Sequence, residues 1–210
     1  KRLHSPMKKL YFITDSTKYD DEEEFLADVF AALRGGVDMI QLREKDLSDD
    51  EVYERALKIK KEADKYDTPL IIDDRVDVAK ELGVGVHLGD EDMAVKDARA
   101  ILGDDAIIGA SVKTVERAYE AEAEGASYFG TGALFPTQTK VITRHTSLET
   151  FCAVKKSVAL PVYAIGGINE RTLPELAGED FDGICVVSAI QYADDPEAAV
   201  KKLRAILNRL

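Results

Sequence analysis

A chain of 210 residues that is 45% hydrophobic and 32% charged, with only 6 Pro, can bury one sizeable core and is not composed like a disordered segment. Its formal net charge of -12 opposes a general nucleic-acid binder or a protein of anionic membrane surfaces, so any anionic ligand must be caught by a local cluster of cations. No apolar run approaches the roughly 20 residues that span a bilayer. No charged-then-apolar leader precedes the first strand pattern, and the expectation is a cytoplasmic domain. The 2 cysteines, Cys152 and Cys185, read as buried thiols rather than a disulfide framework or a metal clip.

Residues 1–9 read as an N-terminal segment outside the fold, and residues 10–210 as one domain. From position 10 onward, short apolar runs alternate with helical patterns. A strand over 10–13 is followed by Phe25, Leu26, Val29, Phe30 and Leu33 at helical spacing, after an acidic first turn and before Gly35-Gly36. A second strand covers 39–42. The next helix opens on Ser48 and Glu51, spaced as a capping box, and carries Val52, Ala56, Ile59 and Ala63 on one face. It ends before Thr68-Pro69. Strands are then expected over 70–72, 85–88, 106–110, 128–130, 161–165 and 183–187. Helices are expected over 76–82, 95–102, 114–124, 148–158, 173–177 and 196–207.

This makes eight strand-then-helix units whose strands are apolar on both faces, as buried parallel strands are. The expected fold is α/β, a single (βα)8 TIM barrel in its compact form. An open doubly wound sheet is the runner-up, disfavoured because no Gly-x-Gly-x-x-Gly turn follows the first strand. Gly36, Gly85, Gly125 and Gly183 each stand just before a strand, as helix C-caps would.

Polar clusters close the strands at their C-terminal ends. Gln41, Arg43, Glu44 and Lys45 follow the second strand, and Asp73, Asp74 and Arg75 the third. Gly89, Asp90, Glu91 and Asp92 follow the fourth, and Ser111 closes the fifth. The stretch Gly130 to Lys140, with Thr137, Gln138 and Thr139, follows the sixth; Gly166 and Gly167 follow the seventh, and Ser188 the eighth. In a βα barrel these positions share one mouth, the active-site face. Hydroxyls, backbone amides and Lys140 suit anionic oxygens. Asp74 and Asp92, in adjacent units, suit Mg²⁺, which binds through one or two carboxylates plus phosphate oxygens and water. As single residues they would more often be helix N-caps. Gly167 and Ser188 match the phosphate site that barrels build after strands seven and eight. His87, inside the fourth strand, reads as a hydrogen-bonded core residue. Two anion sites, one suited to a diphosphate and one to a monophosphate, imply two phosphorylated substrates. No Ser-His-Asp or Cys-His arrangement is evident.

The motifs Gln41-Leu-Arg-Glu-Lys45, Ile71-Ile-Asp-Asp-Arg-Val-Asp-Val-Ala79, Gly85-Val-His-Leu-Gly-Asp-Glu-Asp92 and Ile108-Gly-Ala-Ser111 occur in that order. Phe135-Pro-Thr-Gln-Thr-Lys140, Ala164-Ile-Gly-Gly-Ile168 and Val186-Val-Ser-Ala-Ile190 follow. Together they resemble thiamine phosphate synthase from the first strand to the last helix. The resemblance implies a transferase that joins a hydroxymethylpyrimidine diphosphate to a thiazole phosphate, with Mg²⁺, giving thiamine phosphate and pyrophosphate by a dissociative route. It assigns Gln41, Leu42, Arg43, Glu44, Lys45 and Asp73, with Ser111 and Lys140, to the pyrimidine diphosphate. Arg43, Lys45, Ser111 and Lys140 carry the chemistry. Thr137, Gln138, Thr139, Gly167, Val187 and Ser188 go to the thiazole phosphate, and Asp74 and Asp92 to the metal. The chain departs from the family pattern at Asp73, where Asn is usual, at Asp90, where Gln is usual, at Val112-Lys113 and over 141–146. A thiazole tautomerase or a phosphate-ligand sensor on the same fold are the alternatives. The partners implied are small phosphorylated molecules, with no nucleic acid and no membrane; assembly into a homo-oligomer is compatible with the sequence.

Overall fold

The computed structural model describes residues 7–136 and 146–210. In chain order these form β1 (Lys9–Ile13), α1 (Glu22–Gly35), β2 (Met39–Leu42), α2 (Asp49–Ala63), β3 (Leu70–Asp73) and α3 (Val76–Leu82). Next come β4 (Gly85–Leu88), α4 (Val95–Leu102), β5 (Ile108–Ser111), α5 (Val115–Glu124) and β6 (Tyr128–Thr131). The chain finishes with α6 (Leu148–Ser157), β7 (Val162–Ile165), β8 (Gly183–Val186), α7 (Ser188–Gln191) and α8 (Pro196–Leu207). The strands pair in sequence order, all parallel, and β8 closes on β1 with Leu10 opposite Ile184. The expected (βα)8 barrel is the fold. No helix among the described residues is long and apolar enough to cross a membrane.

Local chemistry sets the helix ends. Ser48 and Glu51 form the expected capping box on α2, each side chain binding the other's backbone amide, a device worth about 1 kcal/mol. Asp21 and Asp195 accept first-turn amides of α1 and α8. The glycine expectation holds at two of its four positions. Gly36 (φ 98°) and Gly125 (φ 104°) are left-handed caps, whereas Gly85 and Gly183 lie inside strands. There the need is for space: a Cβ on Gly85 would come within 2.6 Å of the Ile107 carbonyl oxygen. The cap of α3 is Gly83 instead. The stretch expected as a helix over 173–177 is only a short 3₁₀ turn, Leu173–Leu176, with Pro174 at its start. The eighth unit instead carries two helices, α7 and α8.

The residue just before a strand often ties that strand to its neighbour. Asp38 accepts the Leu10 amide (2.8 Å), Ser127 the Ile108 amide (2.9 Å) and Asp182 the Val162 amide (2.8 Å). Arg204 from α8 pairs with Asp38 and also donates to the Lys8 carbonyl (3.0 Å). Lys155 from α6 pairs with Asp182 at 2.9 Å. The Lys9 amide donates to the Asp182 carbonyl (2.9 Å), so the seam between β8 and β1 is also held from below.

Two cores result from the period-two alternation of the strands. Outward side chains such as Leu10, Phe12, Ile40, Leu42, Ile72 and Phe129 pack under the helices. Inward ones, Tyr11, Ile13, Met39, Ile71, Tyr128, Tyr163 and Cys185, fill the barrel axis. Gly109 makes room for Tyr128, because a Cβ there would overlap the phenol ring. Gly109→Ala should therefore lower unfolding free energy by about 1–3 kcal/mol, seen as a lower urea midpoint at unchanged m-value. An unchanged midpoint would mean that the ring relocates without cost.

Candidate active site

At the C-terminal end of the strands lies a cavity of about 560 Å³, lined by Gln41, Arg43 and Lys45 from β2 and its loop, and by Asp73, His87 and Ser111 from β3 to β5. The loop after β4 adds Gly89, Asp90, Glu91 and Asp92, and Lys113 follows β5. Ile13, Gly130, Gly132 and Ile165 complete the described lining. Ile13, Gln41, Asp73, His87, Ser111, Gly130 and Ile165 occupy the inward parity of their strands, so one geometric rule collects residues far apart in sequence. Gly130 leaves its space open, the nearest atom to a would-be Cβ being His87 Cε1 at 3.7 Å.

The same rule sorts the Gln41 to Lys45 motif. Gln41, Arg43 and Lys45 line the cavity, while Leu42 and Glu44, expected with them in the substrate site, do not. Leu42 is buried in the core beneath the helices. Glu44, also buried, accepts hydrogen bonds from Ser16 Oγ (2.8 Å) and Arg55 Nη1 (2.7 Å), and Arg75 Nη2 donates to its carbonyl oxygen (3.0 Å). Glu44 is a brace that holds the loop carrying the two cations.

Lys45 Nζ lies 2.7 Å from Asp73 Oδ2 and 2.6 Å from Asp74 Oδ2, and Arg43 Nε lies 3.9 Å from Asp73 Oδ2. Asp73 Oδ2 has no aligned hydrogen-bond donor among the described residues, so its contact with Lys45 is one of charge. Burial raises the Asp73 carboxyl above its usual range against the opposing pull of Lys45. For Lys45, burial works against the charge, but contacts with Asp73 and Asp74 outweigh it and the ammonium pKa rises. Asp74 adopts a left-handed backbone (φ 57°), a strained state for a residue with a Cβ. It lines the adjoining hollow with Asp49, Arg75 and Met93 rather than the main cavity. Asp92 does line the cavity, with its Oδ2 accepting the Gly89 amide at 2.6 Å. Neither aspartate is the N-cap of the helix that follows, since Arg75 and Ala94 take those positions.

Gly166 and Gly167 both have positive φ (102° and 66°). A Cβ on Gly167 would meet the Pro136 carbonyl oxygen at 2.6 Å, so the two loops touch through backbone. Val187 packs against the inner core and Ser188 opens α7. Gly167, Val187 and Ser188 stand at the same rim but are not among the residues lining the cavity. Thr137, Gln138, Thr139 and Lys140 lie outside the described residues.

His87, expected from sequence as a hydrogen-bonded core residue, is buried at its ring and hydrogen-bonded. It is also a wall of the site, with Nε2 2.9 Å from Ser111 Oγ and Nδ1 2.9 Å from Tyr128 Oη. The signal that could have found it is parity, since His87 pairs in register with Asp73 and with Gly109, two residues before Ser111. Lys113, one of the departures from the family pattern, lines the cavity too. Burial lowers the His87 pKa from 6.5 to about 4. Between those values an unfolded chain binds a proton that the folded chain refuses, so stability falls as pH falls through this window. Wild type should lose about 2–3 kcal/mol more than His87→Gln between about pH 7 and about pH 4.5, read by urea unfolding. Equal losses would show that His87 titrates normally.

The sequence matches the family described as thiamine monophosphate synthase over residues 10–190. It is 43% identical over 206 residues to thiamine-phosphate synthase 2 of Streptococcus pneumoniae, covering 95% of this chain and 97% of that one. It is 44% identical over 201 residues to thiamine-phosphate synthase of Lacticaseibacillus paracasei, covering 95% and 93%. Among solved structures it is similar to a thiamine phosphate pyrophosphorylase from Pyrococcus furiosus, with TM-score 0.83, 41% identity and 96% of each chain covered. A 3-hexulose-6-phosphate synthase at 21% identity and TM-score 0.71 shares the fold. With the motifs in order, the barrel closed and the relatives matched nearly end to end, this chain belongs to the thiamine monophosphate synthase family, transferases of thiamine biosynthesis.

Proposed function

We propose that the protein transfers the hydroxymethylpyrimidine group from its diphosphate to thiazole phosphate, releasing pyrophosphate and forming thiamine phosphate. The observation that carries this reading is the convergence of Arg43, Lys45, Lys113 and Ser111 on one cavity in a chain of net charge -12. Such a local concentration of donors and cations suits a diphosphate. A dissociative route fits the residues, because loss of the diphosphate needs stabilisation of a departing anion rather than a protein nucleophile. Arg43, Lys45 and Ser111 hold that anion, and the thiazole nitrogen captures the pyrimidine-stabilised cation. Orientation of the two substrates in one mouth can contribute about 7–11 kcal/mol. Lys140, Thr137, Gln138 and Thr139 enter by the family resemblance alone, as do Gly167, Val187 and Ser188 for the thiazole phosphate.

The oxygen-only donors Asp73, Asp74 and Asp92 fit a hard cation such as Mg²⁺. Among the described residues no three acids or histidines converge as a complete ligand set. An ion at these acids would take its remaining positions from substrate oxygens and water. The Lys45 ammonium, within 2.7 Å of both Asp73 and Asp74, shows that this pair accommodates a positive charge. Held at Asp74 or at Asp92, with substrate oxygens and water in its other positions, Mg²⁺ would supply charge neutralisation to the phosphate oxygens.

The test is release of pyrophosphate and formation of thiamine phosphate by the purified chain, with each substrate and Mg²⁺ omitted in turn. Product dependent on all three is expected; release without thiamine phosphate would overturn the reading. Asp74→Asn should raise half-saturating Mg²⁺ by about tenfold or more, and an unchanged titration would remove Asp74 from the metal site.

A further inference from the structure

Five polar groups form one unbroken hydrogen-bonded chain across the barrel interior. Gln41 Nε2 donates to Tyr11 Oη (2.8 Å), and Tyr11 Oη lies 2.6 Å from Tyr128 Oη. Tyr128 Oη meets His87 Nδ1 at 2.9 Å, and His87 Nε2 meets Ser111 Oγ at 2.9 Å. The chain runs from β2 through β1, β6 and β4 to β5, and both of its ends are walls of the cavity. Tyr11 is 0% exposed and Tyr128 3% exposed, so water does not replace these bonds.

Counting donors gives the chain a direction. The amide nitrogen of Gln41 can only donate, so the Tyr11 oxygen accepts. The single proton of Tyr11 then has one acceptor in the chain, Tyr128 Oη. Tyr128, having accepted, passes its own proton to Nδ1 of His87. An imidazole that accepts at Nδ1 carries its proton on Nε2 and gives that bond to Ser111 Oγ. The proton of Ser111 is left over, and it is the one at the cavity. The reverse order would need the Gln41 amide turned so that Oε1 accepts from Tyr11, whereas the structure presents Nε2 there.

We propose that His87 is a positioning residue which, as the neutral Nε2–H tautomer, fixes the Ser111 hydroxyl as a hydrogen-bond donor into the cavity, toward an anionic substrate oxygen. The ligand part of this rests on the functional reading above. The low pKa of His87, caused by burial, agrees with a neutral ring. The contact between Ser111 and His87 is therefore not the start of a nucleophilic pair: a ring with its proton on Nε2 cannot take the serine proton, and the third partner is a phenol where a carboxylate would be needed. A fixed donor costs no reorganisation when charge develops on the departing group.

The decisive measurement is a two-bond ¹H–¹⁵N correlation spectrum of the full chain labelled in histidine, at about pH 7.5, with the His87 signals assigned by their loss in His87→Gln. The expected pattern has Nε2 protonated and Nδ1 bare. A proton on Nδ1 overturns the proposal whatever the enzyme makes. In kinetics, His87→Leu should lower kcat by roughly tenfold to a hundredfold, with KM for thiazole phosphate within about twofold. His87→Gln, whose amide can donate to Ser111, should recover most of that loss. In a Ser111→Ala background His87→Leu should change nothing more, and a further additive loss would overturn the route through Ser111. Should His87→Leu not fold, Tyr128→Phe keeps the ring and cuts the chain at Nδ1. It should bring Nδ1-protonated His87 into the spectrum, and an unchanged spectrum would overturn the relay. A wild-type chain that makes no thiamine phosphate would refute the functional reading, and the tautomer would still be read independently.

Discussion

Closure of eight parallel strands into a ring is the constraint on which everything else depends. Once the ring closes, every second residue of every strand faces one axis, and there is nowhere else for those side chains to go. The lower levels of that axis are filled with Tyr11, Met39, Ile71, Tyr128, Tyr163 and Cys185. On β2 to β5 the upper level is polar, and the change from apolar to polar along those strands draws the boundary between stability and chemistry. Ile71 and Asp73 on β3, two residues apart, fall on either side of it. So do Tyr128 and Gly130 on β6, where removal of a side chain opens the space above the plug.

The site gathers cations within an acidic protein, but it does so among acids. Three cations, Arg43, Lys45 and Lys113, share the described lining with four acids, Asp73, Asp90, Glu91 and Asp92. Without ligand, the acids absorb the cations: Lys45 lies between Asp73 and Asp74, and Arg43 approaches Asp73. A buried carboxylate pairing with two cations keeps them in place and lowers the cost of holding like charges together. On the proposed function, a diphosphate entering with a divalent cation would exchange these internal pairs for external ones, so charge would be redistributed rather than added. The strained backbone of Asp74 belongs to the same small region, where strain is tolerated because the surroundings fix it.

The two ends of the barrel are held differently. At the N-terminal face, Asp38, Ser127 and Asp182 bind strand amides, and Arg204 and Lys155 lock the two aspartates to the outer helices. At the other face the support lies one residue out of phase with the function. Glu44 braces between Arg43 and Lys45, gripped by Ser16 and Arg55. Parity thus lets neighbouring residues serve the fold and the site without competing.

Much of this was legible in the linear chain. Alternating apolar runs and helical periods determine the (βα)8 barrel, because a buried parallel strand and an amphipathic helix have different periods and each needs the other for cover. The capping box at Ser48 and the clusters at the strand ends are local patterns, and the family motifs resemble thiamine phosphate synthase in order and in spacing. Sequence could not separate Gly36 from Gly85, because backbone φ depends on where each strand begins and on what lies across the sheet. It placed a helix at 173–177, where a proline-led 3₁₀ turn is all that forms. It read His87 as core and gave no role to Tyr11 or to Tyr128. Those three meet Gln41 and Ser111 only when β1, β2, β4, β5 and β6 are curled round one axis, since a hydrogen bond between residues 117 positions apart has no signature along the chain. Composition and periodicity by themselves determined the architecture and the face that carries the chemistry. Which side chains share the cavity, and which way the protons point inside it, was decided by closure of the barrel.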